Sequence, residues 1–217
     1  MRKLKTVVAP TPVSVAPPPG IGGTDRALKQ LADATHRLTV RRVRDLLPGK
    51  IETRRLVLRA PMRGDVPDLV RLADNRNISE KLTRMPSPYT RADAVGFIEI
   101  FAQRADERPY AITLGDKLIG IVGFSYREGE APEIGYWLGE PYWGKGYMTE
   151  AVRALIDAAH RTHVYDRIVA RALADNLASL RVLEKSGFKP IGKGKPRPVA
   201  KGGKPLVSFA LERPRWI

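Results

Sequence analysis

The sequence predicts a mixed α/β (α+β) domain built on one sheet with packed helices. Strand-like and helix-like patterns alternate from Gly49 to the end of the chain, which is how a sheet with helices on its faces reads in sequence. Gly115-Asp116 separates two β-rich runs as a hairpin turn does, so part of the sheet is antiparallel. A chain of 217 residues with 43% hydrophobic and 28% charged residues suits one domain of ordinary size, with an appendage, rather than two complete domains.

The first 23 residues hold Pro10, Pro12, Pro17, Pro18 and Pro19 without hydrophobic periodicity and read as an extended or disordered tail. Met1-Arg2-Lys3-Leu4-Lys5 opens as a signal peptide does, but the prolines leave no continuous apolar segment behind it. From Thr24, a helix N-cap, Leu28, Leu31 and Leu38 recur at near-helical spacing and lead through Arg41, Arg42 and Arg44 to Leu47. Pro48-Gly49 stops this basic helical appendage, assigned to 24–50, and the main domain is assigned to 51–217. Within it, strands are expected near 52–59, 109–115, 117–126, 132–139, 166–172, 187–193 and 205–211. Helices are expected near 64–75, 90–106, 146–161 and 176–186.

Composition excludes several classes of function. The chain has no cysteine, hence no disulfide, thiolate metal site or cysteine nucleophile. It has no apolar run of membrane-spanning length, and a cytoplasmic location is the default expectation. His36 falls in the appendage, while His160 and His163 sit at a helix C-terminus that favours positive charge and lack carboxylate neighbours of metal-site spacing; no metal is expected. The net charge of +15 is concentrated at the ends: residues 1–50 hold ten Lys/Arg against three Asp/Glu, and residues 189–217 hold eight against one. Such ends suit RNA, a ribosome, cofactor phosphates or plain solvation.

The segment from Glu133 through Trp137, Leu138, Trp143, Gly144, Lys145, Gly146 and Tyr147 to Met148 reads as a strand, a glycine-bearing loop and a helix. Gly144 and Gly146 let backbone approach a ligand, and the helix N-terminus behind them favours an anion such as a pyrophosphate. The segment lacks the Gly-Lys-Ser/Thr ending of a P-loop and the third glycine of a dinucleotide fingerprint. A bare Gly-x-Gly is equally a tight turn. A second segment, Ala174 to Phe188, reads as a strand exit, an Asn176 cap, and a helix with Leu180, Val182 and Leu183 inward before Gly187 ends it. Asn176 and Ser179, three residues apart, point the same way, although N-capping alone accounts for either.

Together, in this order and separation, the two segments resemble the GNAT acetyltransferases over roughly residues 51–212. The first is similar to that superfamily's pyrophosphate loop, Q/R-x-x-G-x-G/A. Trp143 stands where Gln or Arg is usual, and the bulky Met148 where Gly or Ala is usual, which puts the loop's geometry in question but not its backbone donors. The second resembles the Asn-x-x-Ser and Gly-Phe element of the branch that acetylates protein N-terminal amines (RimJ/RimL type), at Asn176, Ser179, Gly187 and Phe188. The run Ile51 to Arg59 is similar to that branch's first strand.

The resemblance implies a mostly antiparallel twisted sheet of about seven strands, splayed where acetyl-CoA binds. Trp137, Leu138, Trp143, Gly144, Lys145, Gly146, Tyr147, Met148 and Asn176 are the cofactor-binding residues it implies. It further implies direct attack of an amine on the thioester, with a backbone N–H near Leu138 facing the developing oxyanion, a kind of donor worth about 3–4 kcal/mol. Ser179 becomes the candidate proton donor to the departing thiolate. Glu133, on the strand entering the site, is the candidate base, acting directly or through water; a surface carboxylate is its alternative. An α-amine with a pKa of about 7.7–8.0 asks less of a base than lysine at about 10.4. The expected acceptor is a protein N-terminal amine, with ribosome or RNA contact through the basic ends, no membrane, and a monomeric or homodimeric state. Open alternatives are a small amine such as an antibiotic, polyamine or amino acid; a nucleic-acid-associated protein on the same scaffold; and an acyl-CoA sensor without turnover.

Overall fold

The computed structural model describes residues 44–82, 85–194 and 205–213. The expected tail 1–23 and all of the appendage before Arg44 lie outside these residues. Eight strands form one sheet: β1 (Lys50–Glu52), β2 (Val57–Arg59), β3 (Glu107–Leu114), β4 (Lys117–Ser125), β5 (Glu133–Leu138), β6 (Arg167–Leu173), β7 (Lys189–Gly194) and β8 (Leu206–Glu212). Their spatial order is β1-β2-β3-β4-β5-β6-β8-β7, and every neighbouring pair is antiparallel except β5 and β6. The helices are α1 (Val66–Ala73), α2 (Arg76–Ser79), α3 (Arg91–Gly96), α4 (Tyr147–Arg161) and α5 (Leu177–Lys185).

The sheet separates two cores. On one face α4 and α5 supply Met148, Val152, Leu155 and Leu183 against Tyr110, Ile112, Val122 and Phe124 of the central strands. On the other, α1, α3 and the π turn that follows it supply Leu69, Leu72, Ala94 and Ile98 against Ala111, Leu118 and Ile121. Strand alternation sorts these residues: Tyr110 and Ile112 face one core and Ala111 the other. A register shift between Ile112 and Thr113 moves the phase along β4, so Leu118 and Ile121, three apart, share a face.

Two sequence expectations change. The strand expected over 52–59 is two short strands joined by a turn, because the Thr53 hydroxyl accepts the Leu56 N–H at 2.8 Å and folds the chain back. The helix expected over 90–106 opens at a capping box between Thr90 and Asp93 and ends in a wider π turn at Phe97–Phe101. The last residues before β1 are tied to the sheet. Leu47 is buried, and the Pro48 carbonyl accepts the Tyr110 hydroxyl at 2.6 Å.

Candidate active site

β5 and β6 run parallel and pair only at Glu133↔Val169 and Ile134↔Ala170. Beyond Ile134 the described residues show no further pairing, so the strands diverge into a splay. Antiparallel pairing alternates hydrogen-bonded and non-hydrogen-bonded positions. The Gly139 N–H donates to the Ile119 carbonyl at 2.9 Å, and Leu138, opposite Gly120, is therefore in the other phase, as is Tyr136. Their backbone groups are turned away from β4 and toward the splay. The indole N–H of Trp143 donates to the Leu138 carbonyl at 2.7 Å, folding the loop back over the strand end while the Leu138 N–H stays directed at the gap.

The glycine loop stands at the open end of this splay. Gly144 and Gly146 have φ of +74° and +76°, left-handed conformations in which a side chain is strained, and Gly146 is the N-cap of α4. Left-handed turns opening into a helix present successive N–H groups to one point, which is an anion-binding arrangement. The Lys145 ammonium donates to the Pro141 carbonyl at 2.9 Å, and Tyr147 carries the Arg55 guanidinium over its ring at 4.5 Å. A groove of about 600 Å³ lies along α4, lined by Gly146, Thr149, Glu150, Arg153, Arg161 and Lys185.

A clamp that sequence reasoning missed holds this loop. Arg55, in the β1–β2 turn, donates from Nη1 to the Lys145 carbonyl at 3.0 Å and from Nε to Glu150 Oε2 at 2.7 Å. Glu150, in the first turn of α4, also accepts the Arg55 N–H at 3.0 Å and the Thr53 hydroxyl at 2.7 Å. Desolvation works to raise the Glu150 carboxyl, but these hydrogen bonds outweigh it and hold the group below the ordinary carboxylate range. No local pattern links residues nearly a hundred positions apart, so only the fold reveals the pair.

The side chain of Met148 is buried in the core beneath α4, so its bulk points away from the loop and only its backbone lies at the helix start. Trp137 alternates to the opposite face from Tyr136 and Leu138 and packs against the second core, away from the splay-facing side. Glu133 lies at the closed end of the splay. Its Oε2 accepts from Arg127 Nη1 at 2.9 Å and Arg171 Nη1 at 2.7 Å.

Across the gap, the Asn176 side chain caps α5 by accepting the Ser179 N–H at 3.2 Å. Tyr136 reaches from β5 to this first turn. Its hydroxyl lies 3.0 Å from Ser179 Oγ and 3.2 Å from the Ser179 carbonyl oxygen. Burial pushes the Tyr136 phenol up to about 12. The segment over the mouth of the splay is tied at both ends: Asn75 and Asn77 donate to Glu140 at 2.6 and 3.0 Å, and Lys81 pairs with Asp175 at 3.4 Å. Among the described residues no helix is long and apolar enough to cross a membrane, and no cluster of three or more His, Cys, Asp or Glu side chains could hold a metal.

The profile of the acetyltransferase (GNAT) domain matches residues 55–189. The probable N-acetyltransferase YjcK of Bacillus subtilis (strain 168) is 45% identical over 80 residues, covering 36% of this chain and 44% of that protein. The ribosomal-protein-serine acetyltransferase of Escherichia coli (strain K12) is 34% identical over 88 residues, covering 40% of this chain and 49% of that protein. The chain thus spans about half the length of these curated relatives. Among solved structures, RimL, the ribosomal L7/L12 alpha-N-protein acetyltransferase in complex with coenzyme A, superposes with a TM-score of 0.66 at 25% identity, covering 75% of this chain and 97% of that one.

Proposed function

The chain belongs to the acetyltransferase (GNAT) domain family, matched over residues 55–189, and from that premise we propose that it transfers an acetyl group from acetyl-CoA to a protein N-terminal amine. One observation carries the reading. Two left-handed glycines open α4 at the mouth of the only parallel strand pair among the described residues, so an anion site and an edge of backbone donors adjoin. A pyrophosphate joined to an extended thioester arm fits that adjacency. The thioester supplies the activated acetyl group.

In this proposal the backbone donors of Gly144, Gly146 and Tyr147 hold the pyrophosphate, with Arg55 and Lys145 supplying positive charge. The Leu138 N–H donates to the carbonyl oxygen as negative charge develops there, since a fixed donor costs no reorganisation at that moment. Ser179 gives a proton to the departing sulfur, and Glu133 takes the amine proton through water from the closed end of the splay. A terminal α-amine suits this arrangement because about a tenth or more of it is neutral at pH 7, given its pKa of about 7.7–8.0. The Escherichia coli relative, a ribosomal-protein-serine acetyltransferase, and RimL, a ribosomal L7/L12 alpha-N-protein acetyltransferase, favour the same acceptor class.

Calorimetric titration of acetyl-CoA into the wild type and Gly146→Val tests the cofactor half. Placing a β-branched residue at a φ of +76° costs about 1–3 kcal/mol, so binding weakens roughly 10- to 100-fold while the fold persists. Saturable wild-type binding followed by acetylation of a peptide bearing a free N-terminal serine supports the reading. A folded wild type that binds no acetyl-CoA ends it.

A further inference from the structure

We propose that Tyr136 is the positioning residue behind Ser179, completing a two-hydroxyl relay that delivers the proton to the departing thiolate. The inference rests on the acetyl-transfer reading and deepens it. Tyr136 belongs to β5 and Ser179 to α5, on opposite sides of the splay, and the phenolic oxygen lies within hydrogen-bond distance of both Ser179 Oγ and the Ser179 carbonyl. Two residues further along the same strand, and on the same face, is Leu138, whose N–H is directed into the gap. Proton donor and oxyanion donor are therefore set by one short stretch of β5.

The pair has two arrangements. With the Tyr136 proton on the Ser179 carbonyl, the serine hydroxyl donates to the phenolic oxygen and its own proton is engaged. With the Tyr136 proton turned onto Ser179 Oγ, the serine proton is released toward the splay. The phenol is well suited to this because burial raises it to about 12, so it is protonated throughout the neutral range. A lone serine would have to become an alkoxide as it gives up its proton. With Tyr136 behind it, the deficit passes to a phenol, a far stronger acid than an alcohol.

The balance closes without any other reagent. The amine nitrogen forms the bond to the acetyl carbon and becomes positively charged, and the carbon–sulfur bond breaks with its electron pair on sulfur. Sulfur takes the Ser179 proton, Ser179 Oγ takes the Tyr136 proton, and Tyr136 is restored through water by the proton that nitrogen sheds to Glu133, which leaves Glu133 ionised again. The products are the amide and a neutral thiol.

The test is steady-state release of coenzyme A thiol from acetyl-CoA, with a hexapeptide bearing a free N-terminal serine as acceptor. It compares the wild type, Tyr136→Phe, Ser179→Ala and the double variant. Ser179→Ala should lower kcat by about 100-fold, within the range of general acid catalysis. Tyr136→Phe should lower kcat by about 10-fold or more with the KM for acetyl-CoA unchanged, and should cost nothing further in the Ser179→Ala background. A proton inventory in mixed light and heavy water should be curved for the wild type and linear for Tyr136→Phe.

If Tyr136→Phe lowers kcat equally with and without Ser179, or raises the KM for acetyl-CoA in parallel, the residue is only a packing element and the proposal fails. If Ser179→Ala lowers kcat and Tyr136→Phe does not, the relay fails while the serine's role stands. If the wild type turns over and Ser179→Ala matches it, both the relay and the serine's role fall. A wild type that binds acetyl-CoA but releases no thiol overturns the acetyl-transfer reading and the relay with it.

Discussion

The two sides of the splay are held in different ways. On the phosphate side, Arg55 and Glu150 join a turn, a loop and a helix start through several short bonds between partly buried groups. On the other side, the segment from Asn75 to Lys81 crosses the mouth on exposed polar contacts to Glu140 and Asp175. Bonds to charged groups shielded from water are worth about 1.5–3 kcal/mol, whereas exposed ion pairs are worth about 0–1 kcal/mol. The difference teaches that the glycine-loop half is fixed by shielded bonds, while the strap across the mouth rests on exposed contacts that can rearrange at little cost to the fold.

The sharpest way to break this contrast is Arg55→Ala. It leaves Glu150 without its cation and the Lys145 carbonyl without its donor, so the loop loses its brace without losing its glycines. Acetyl-CoA binding should weaken roughly 10- to 100-fold, the equivalent of about 1.5–3 kcal/mol. Arg55→Lys should fall between, because an ammonium restores charge but cannot reach Glu150 and the carbonyl together as a guanidinium fork does. An unchanged Kd for Arg55→Ala would mean that the loop holds its shape without the clamp.

A smaller effect should follow from Glu150→Gln, and its dependence on pH carries the information. The folded-state carboxyl is held below its ordinary value, so its stabilisation is fully present above the unfolded pKa of about 4.3 and is lost as pH falls through the folded value. At pH 7 the variant should be destabilised by about 1 kcal/mol, lowering Tm by roughly 2–4 °C. The gap between variant and wild type should narrow as pH falls below the unfolded value and close once pH has passed through the lower folded one. A gap that persists undiminished at low pH would show that the ionised carboxylate is not what braces the turn.

Legibility in sequence follows the same division. The Gly144–Gly146 spacing and the Asn176–Ser179 spacing are local, so a reader of the chain sees them; the glycines take left-handed conformations ahead of α4, and Asn176 caps α5 through the Ser179 N–H. The Gly115-Asp116 turn likewise joins β3 to β4 as an antiparallel pair. What stayed hidden depends on residues far apart in the chain. Arg55 finds Glu150 and Tyr136 finds Ser179 only after the sheet has formed. Met148 misleads for the converse reason: by position it belongs to the loop motif, but helical geometry turns its side chain into the core. The split of 52–59 into β1 and β2 was masked by a run of apolar and charged residues that reads as one continuous strand until Thr53 bonds to Leu56.

The smallest expected effect lies on the acceptor side and is the most discriminating. Lys81 pairs with Asp175 at 3.4 Å, with both side chains substantially exposed, so Lys81→Ala should change Tm by no more than the equivalent of about 1 kcal/mol. Its influence should appear instead in the KM for an N-terminal-serine peptide, because this contact joins the strap to the loop that carries Asn176 into α5. A two- to fivefold change in peptide KM with an unchanged Kd for acetyl-CoA would assign the strap to acceptor capture, and 0.5 M salt should abolish the difference by screening the exposed pair. If Lys81→Ala shifts acetyl-CoA binding as much as Arg55→Ala does, the two sides of the splay are mechanically one, and the contrast between a fixed half and an adaptable half is wrong.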